Sequence, residues 1–262
     1  MKQISLLGCG WLGFPLAEKL ITNGYRVNGS TTTQQKIQVL QNADINPFLI
    51  TLNESESDIS EFLQGSEILI IDIPPKLRRD GNENYIKKIS SILKSVESSE
   101  IKYVLFISST AVYADDSEII TEFTIPNPQT ESGKQILAVE KMLFENSHFQ
   151  TTTLRFGGLI GADRHPGRYL SGRELSEPNA PINLIQREDC IGIIEAIIEQ
   201  NSWNETYNAA YPDHPTRKDY YNKKASEFNI EHPIIVGNSS VGKEISSQKI
   251  SDKLRYTFTT PI

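Results

Sequence analysis

Ile68-Leu69-Ile70-Ile71 and Val104-Leu105-Phe106-Ile107 are unbroken apolar runs, too short for buried helices and without the alternation of a strand that keeps one face in water. Strands of this kind are buried on both faces, which requires a parallel sheet with helices packed on either side. The first 157 residues repeat the theme, with candidate strands at 4–7, 25–30, 48–52, 67–73, 103–108 and 152–156. Between them apolar residues recur at helical spacing: Leu12, Leu16 and Leu20; Ile86, Ile89, Leu93 and Val96; Ile136, Leu137, Val139 and Leu143. The predicted fold class is α/β, a doubly wound parallel sheet.

The length of 262 residues suits one large domain with an extension, and a hydrophobic share of 38% with 16 Gly and 13 Pro excludes collagen, coiled coil and disorder. A net charge of −7, from 26 Lys and Arg against 33 Asp and Glu, argues against nucleic acid or an anionic membrane as partner. The apolar start of the chain breaks at Gly8, too early for a signal peptide core, and no apolar stretch approaches the roughly 20 residues of a membrane span. Cys9 and Cys190 match no disulfide framework or zinc pattern, so the expected setting is a reducing cytoplasm and no metal is expected.

Gly8-Cys9-Gly10-Trp11-Leu12-Gly13 follows the first strand and opens the first helix. In that context G-x-G-x-x-G is a dinucleotide-binding pattern. The first glycine permits the tight turn, the second lets the backbone approach a pyrophosphate, and the third allows helix and strand to pack closely. Backbone N–H groups of Trp11, Leu12 and Gly13 at the helix end then face the phosphates. About 20 residues further on, where an acidic side chain would hold the ribose of NAD, the chain reads Asn28-Gly29-Ser30-Thr31-Thr32-Thr33, with Lys36 beyond. The hydroxyls of Ser30, Thr31 and Thr32 with the Lys36 ammonium suit a 2′-phosphate, so NADP is expected ahead of NAD.

With the glycine loop, Phe106-Ile107-Ser108-Ser109-Thr110-Ala111-Val112-Tyr113 resembles the extended short-chain dehydrogenase/reductases, the NAD(P)-dependent epimerase/dehydratase family. Leu154-Arg155-Phe156-Gly157-Gly158-Leu159-Ile160-Gly161 is similar to the sixth strand of that family and its loop, and Ile185-Gln186-Arg187-Glu188-Asp189 to the start of a later helix. The resemblance implies a Rossmann fold, a nicotinamide cofactor, a small-molecule or sugar-nucleotide substrate, and a substrate contact at Ser109. Where the family carries Tyr-x-x-x-Lys, anchoring on Gly133 and Glu140 sets Ser132 and Ile136 at those positions. A phenol beside an ammonium exchanges a proton near neutral pH, whereas a serine hydroxyl is a far weaker acid. The chain therefore resembles the atypical members, as do Pro74 and Pro75 after the fourth strand and the segment 183–189, where Gln186 replaces a usual His. Candidate catalytic positions are Ser109, Ser132 and Tyr113, the last as a replacement proton donor.

Residues 1–157 are expected to form the dinucleotide-binding domain, with 183–210 returning to it, and 158–262 mainly a small substrate-binding portion. The stretch 157–186 is rich in Gly and Pro and reads as a long functional loop. Arg164 and Arg168 on it, with His165 between, are candidates for an anionic substrate, since guanidinium pairs with phosphate in two-pronged geometry. Two functions fit these readings: an NAD(P)-dependent oxidoreductase or epimerase/dehydratase-like enzyme, and a dinucleotide-binding sensor or scaffold without hydride chemistry.

Overall fold

The computed structural model describes residues 2–75, 84–116 and 118–262. The strands of the main sheet are β1 (Gln3–Leu7), β2 (Arg26–Thr31), β3 (Asn46–Leu49), β4 (Ile68–Ile71), β5 (Tyr103–Ser109), β7 (Gln150–Phe156) and β11 (Thr206–Ala209). They run in the order β11-β7-β5-β4-β1-β2-β3, and every pairing is parallel. β1 pairs with β2 on one side and β4 on the other, so the winding reverses between β1 and β4. In an open sheet that reversal leaves a crevice at the carboxyl ends of the two strands, where ligands bind.

The helices described are α1 (Gly13–Thr22), α2 (Ile37–Asn42), α3 (Ser60–Leu63), α4 (Tyr85–Ser90), α5 (Leu93–Glu97), α6 (Glu131–Phe144), α7 (Pro166–Tyr169), α8 (Arg187–Glu199), α9 (Arg217–Phe228) and α10 (Gln248–Leu254). Side chains alternate across a strand, and β4 divides accordingly. Ile68 and Ile70 enter a core with Leu16 and Leu20 of α1 and Ile193, Ile194 and Ile197 of α8. Leu69 and Ile71 enter a second core with Phe62, Ile89, Val96, Val139 and Leu143. The unbroken apolar runs are thus buried on both faces, as expected.

Some boundaries differ from the sequence reading. β3 starts at Asn46, whose side-chain amide is tied to Asn28 Oδ1 at 2.9 Å, and ends before the predicted 50–52. The single helix expected through Ile86 to Val96 is two, because the Ser91 hydroxyl donates to the Lys88 carbonyl at 2.8 Å where the turn closes.

The stretch expected as a long loop carries short paired pieces. β8 (Gly158–Ile160) pairs with β10 (Leu184–Gln186), and β9 (Glu174–Leu175) with β12 (Ile234–Ile235). β6 (Ile119–Ile120) pairs with β13 (Glu244–Ile245), bringing the tail back to the turn beyond β5. A small core of Ile160, Leu175, Ile182, Leu184, Tyr220 and Tyr221 binds these pieces to α9. Among the described residues no helix is long and apolar enough to cross a membrane.

Candidate functional site

The glycine loop lies at the carboxyl end of β1, and its geometry explains each glycine. Gly8 has φ +114°, and a Cβ there would sit 2.3 Å from the Asp72 carbonyl oxygen. A Cβ on Gly13 would sit 2.1 Å from the Gly8 carbonyl oxygen, so neither position admits a side chain. Gly10 is different: its nearest neighbour at that point is Gly8 O at 4.0 Å, which leaves the approach to its backbone open. The loop is tied to β2 by Cys9 N–H to Ser30 O and Gly8 N–H to Ser30 Oγ, both 2.8 Å. Cys9 is buried, and desolvation first, then Asp72, pushes its thiol up to about 12, too high for a redox thiolate.

Of the proposed ribose contacts, Ser30 is therefore already committed to the Gly8 amide. Thr31 is buried and accepts from the Thr33 N–H at 3.2 Å, while Thr32 and Lys36 are exposed beside it. The 2′-phosphate reading thus rests on Thr32 and Lys36 rather than on three hydroxyls. Leu12 is buried in the core and heads α1 without a side-chain cap. Trp11 leans outward: its indole N–H reaches both Asp163 carboxylate oxygens at 3.0 Å, and the guanidiniums of Arg164 and Arg187 lie over its ring at 5.0 and 4.8 Å.

Ser109 ends β5 and is half-buried. Its hydroxyl accepts from the Ala111 N–H at 3.2 Å, capping a 3-10 turn over Thr110–Val112. A Cβ on Gly133 would meet the Ala111 carbonyl oxygen at 2.3 Å. That close approach holds the first turn of α6, with half-buried Ser132, against the turn that follows Ser109. Ile136 is buried in the core, and Lys134 faces solvent.

Tyr113 does not have the freedom a proton donor needs. It is 2% exposed; its hydroxyl donates to Asn208 Oδ1 at 3.0 Å and accepts from Arg155 Nη1 at 2.5 Å. Arg155 in turn holds Glu140 in two-pronged contact at 2.9 and 2.5 Å, and Ser108 donates to the same carboxylate. Burial raises the Tyr113 pKa against the opposing pull of Arg155. This buried network is the physical reason to assign Tyr113 to the framework.

Arg164 and Arg168 are not brought together either. Arg164 stacks over Trp11, whereas Arg168 lies in the last turn of α7 with its guanidinium 5.3 Å from the Phe228 ring. His165 lies between them: Nδ1 accepts from the Gly167 N–H at 3.1 Å, and Nε2 faces the Tyr220 hydroxyl at 2.9 Å. Burial and then Lys224 lower its pKa, so the ring is a neutral anchor of the loop on α9.

Three groups escaped the sequence reading. Asp72 follows β4 and lies under the glycine loop; a carboxylate closing an apolar strand was the available signal. Arg187 opens α8 and contacts Asp163 at 3.4 Å beside Trp11. Lys243, in the tail, is buried and donates to the Tyr113 carbonyl at 2.8 Å while pairing with Asp115 at 3.0 Å, a return that no local pattern announces. Pro74 is exposed at the same sheet edge as Asp72. Asp189 is fully buried and takes donors from Tyr256, Thr259 and Thr260 of the tail, and Gln186 donates to Pro261 O. No group of three His, Cys, Asp or Glu side chains is placed to hold a metal among the described residues.

No family model matches the chain. Among solved structures, a UDP-glucuronic acid 4-epimerase from Bacillus cereus in complex with NAD matches with TM-score 0.82 at 17% identity, over 99% of this chain and 92% of that one. A functionally unknown conserved protein from Silicibacter pomeroyi matches with TM-score 0.82 at 19% identity, over 100% and 95%. The fold is that of the NAD-dependent epimerase/dehydratases, as the sequence resemblance implied. Protein YeeZ of Escherichia coli K12 is 31% identical over 266 aligned positions, 100% of this chain and 97% of the relative. The chain belongs to the same family as YeeZ.

Proposed function

We propose that the chain binds NADP or NAD across the β1–β4 crevice and acts as an NAD(P)-dependent oxidoreductase or epimerase/dehydratase-like enzyme on a small-molecule or sugar-nucleotide substrate. The observation that carries the reading is the glycine loop, closed at Gly8 and Gly13 and open at Gly10, so that backbone can approach a pyrophosphate. The backbone N–H groups at the start of α1 would hold the phosphates, and Thr32 with Lys36 would receive a 2′-phosphate. When bound, the nicotinamide supplies hydride chemistry. Ser109, at the carboxyl edge of β5, would contact the substrate, with Ser132 beside it on α6. Arg164 and Arg187 add positive charge next to the loop, which supports an anionic ligand such as the UDP-sugars held by structural neighbours. The two cysteines are buried free thiols, in keeping with a reducing compartment such as the cytoplasm.

A second reading has its own support. On the alignment that the resemblance implies, buried Ile136 would stand at the family's lysine position and Ser132 at its tyrosine position, and the Tyr113 hydroxyl is committed to Arg155 and Asn208. These features suit a dinucleotide-binding sensor without turnover. Titration with NADPH and NADH by fluorescence tests binding, and a panel of sugar nucleotides tests turnover. For the enzyme, turnover above buffer is expected, with Ser109→Ala reducing it at least tenfold; binding without turnover across the panel selects the sensor. NADH bound much more tightly than NADPH would overturn the NADP preference.

A further inference from the structure

The carboxyl end of β4 brings one acidic side chain to the helix end that a dinucleotide would need. Asp72 N–H donates to the Leu7 carbonyl at 2.9 Å, which places the residue across from the start of the glycine loop. Its own carbonyl oxygen fills the space where a Gly8 Cβ would be, and its Oδ2 lies 3.0 Å from where a Gly13 Cβ would be. Its carboxyl lies close enough to the Gly13 N–H, one of the free donors at the head of α1, for that group to pull its pKa down. Leu12 gives that helix no side-chain cap, and Asp72 is the acidic side chain that the neighbouring strand sets beside its first residue.

A pyrophosphate seeks the same positive helix end. We propose that the Asp72 carboxyl is a proton-operated member of the phosphate cradle: dinucleotide binds the chain in which this carboxyl carries its proton, and ionisation drives it out. The proposal rests on the dinucleotide reading and assigns a regulation to that same site. Among the described residues, no charged group of the neighbouring elements faces an ionised Asp72. The titratable groups that face it are the Cys9 thiol of the loop, the Tyr85 phenol of α4 and the Cys190 thiol of α8. All three are pushed upward, burial being the largest cause in each, and are neutral at physiological pH. Burial also lifts Asp72 itself from 3.8 to about 8, against the opposing Gly13 hydrogen bond. Two phosphate charges brought to the same helix end would raise it further.

The test is fluorescence titration of the full chain with NADPH and NADH from about pH 6 to about pH 10, on wild type and Asp72→Asn. The expected wild-type Kd is level below about pH 8 and rises roughly tenfold per pH unit above it, while the D72N profile stays level because the amide keeps its acceptor and cannot ionise. A level wild-type profile, or the same rise in D72N, overturns the proposal and leaves the dinucleotide reading intact. Absence of binding by wild type at every pH overturns both. A second measurement needs no variant: calorimetry of wild type at about pH 9, in buffers of different ionisation heat, is expected to show uptake of a fraction of a proton per dinucleotide bound. Zero uptake overturns the proposal.

Discussion

At the residue scale, the site combines backbone that tolerates no side chain with polar groups that tolerate no loss of partner. Gly13→Ala would force a Cβ to within 2.1 Å of the Gly8 carbonyl, so the loop must shift. Overpacking of this kind costs about 1–3 kcal/mol; a lowered melting temperature with loss of NADPH binding is expected by scanning calorimetry and fluorescence titration. Glu140→Ala would strand the Arg155 guanidinium in the interior, with Tyr113 its remaining hydrogen-bond partner among the described residues. Breaking a buried pair from one side costs about 3–5 kcal/mol, which urea denaturation would read. Asp72 makes a signed prediction about stability without any ligand. The folded chain keeps its proton to about pH 8, whereas the unfolded carboxyl releases it at its ordinary value of 3.8. Between those values folding requires proton uptake, so the contribution of Asp72 falls as pH rises through the window and levels off above it. The melting temperature of D72N minus that of wild type is therefore expected to widen from about pH 5 to about pH 8 and stay constant beyond.

At the scale of elements, α6 is placed by its first turn. Thr130 caps it by accepting the Gly133 N–H at 3.1 Å, and the same glycine seats the helix against the turn after β5. Thr130→Ala is expected to cost about 1 kcal/mol by chemical denaturation, the usual loss of a cap. Elements of this sort were readable because each carries its own signal: periodic apolar positions for α1 and α6, and unbroken apolar runs for β4 and β5. β3 was misplaced because Asn46-Pro47-Phe48-Leu49 is an edge strand whose start is set by Asn28, a partner 18 residues away. The two-residue strands β6, β9, β12 and β13 have no periodicity to detect; distant pairing alone defines them. The candidate site divides the same way. The glycine loop is local and was legible, whereas the Asp72 contact, the Arg155–Glu140 pair and the return of Lys243 depend on residues that only folding brings together.

At the scale of the whole molecule, one carboxylate of α8 gathers several donors of the tail. Asp189 lies in the first turn of α8, and its donors come from Tyr256, Thr259 and Thr260. Truncation after Arg255 would leave a buried charge without those partners, and a loss of more than about 3 kcal/mol is expected in urea unfolding. Asp189→Asn in the truncated chain is expected to recover part of that loss, because an amide is cheaper to leave unsatisfied than a carboxylate. A further tie between distant parts is the hydrogen bond from Trp11 to Asp163, which fastens the glycine loop to the segment after β8. The chain has two tryptophans, and the second, Trp203, is buried and stacked on Tyr103 with ring centroids 4.7 Å apart. The two indoles differ in polarity and in their neighbours, so their emission differs in colour and in sensitivity to added ligand. With Trp203 replaced by Phe, the remaining fluorophore sits on the glycine loop itself, giving the protein a built-in optical reporter for whatever enters the crevice.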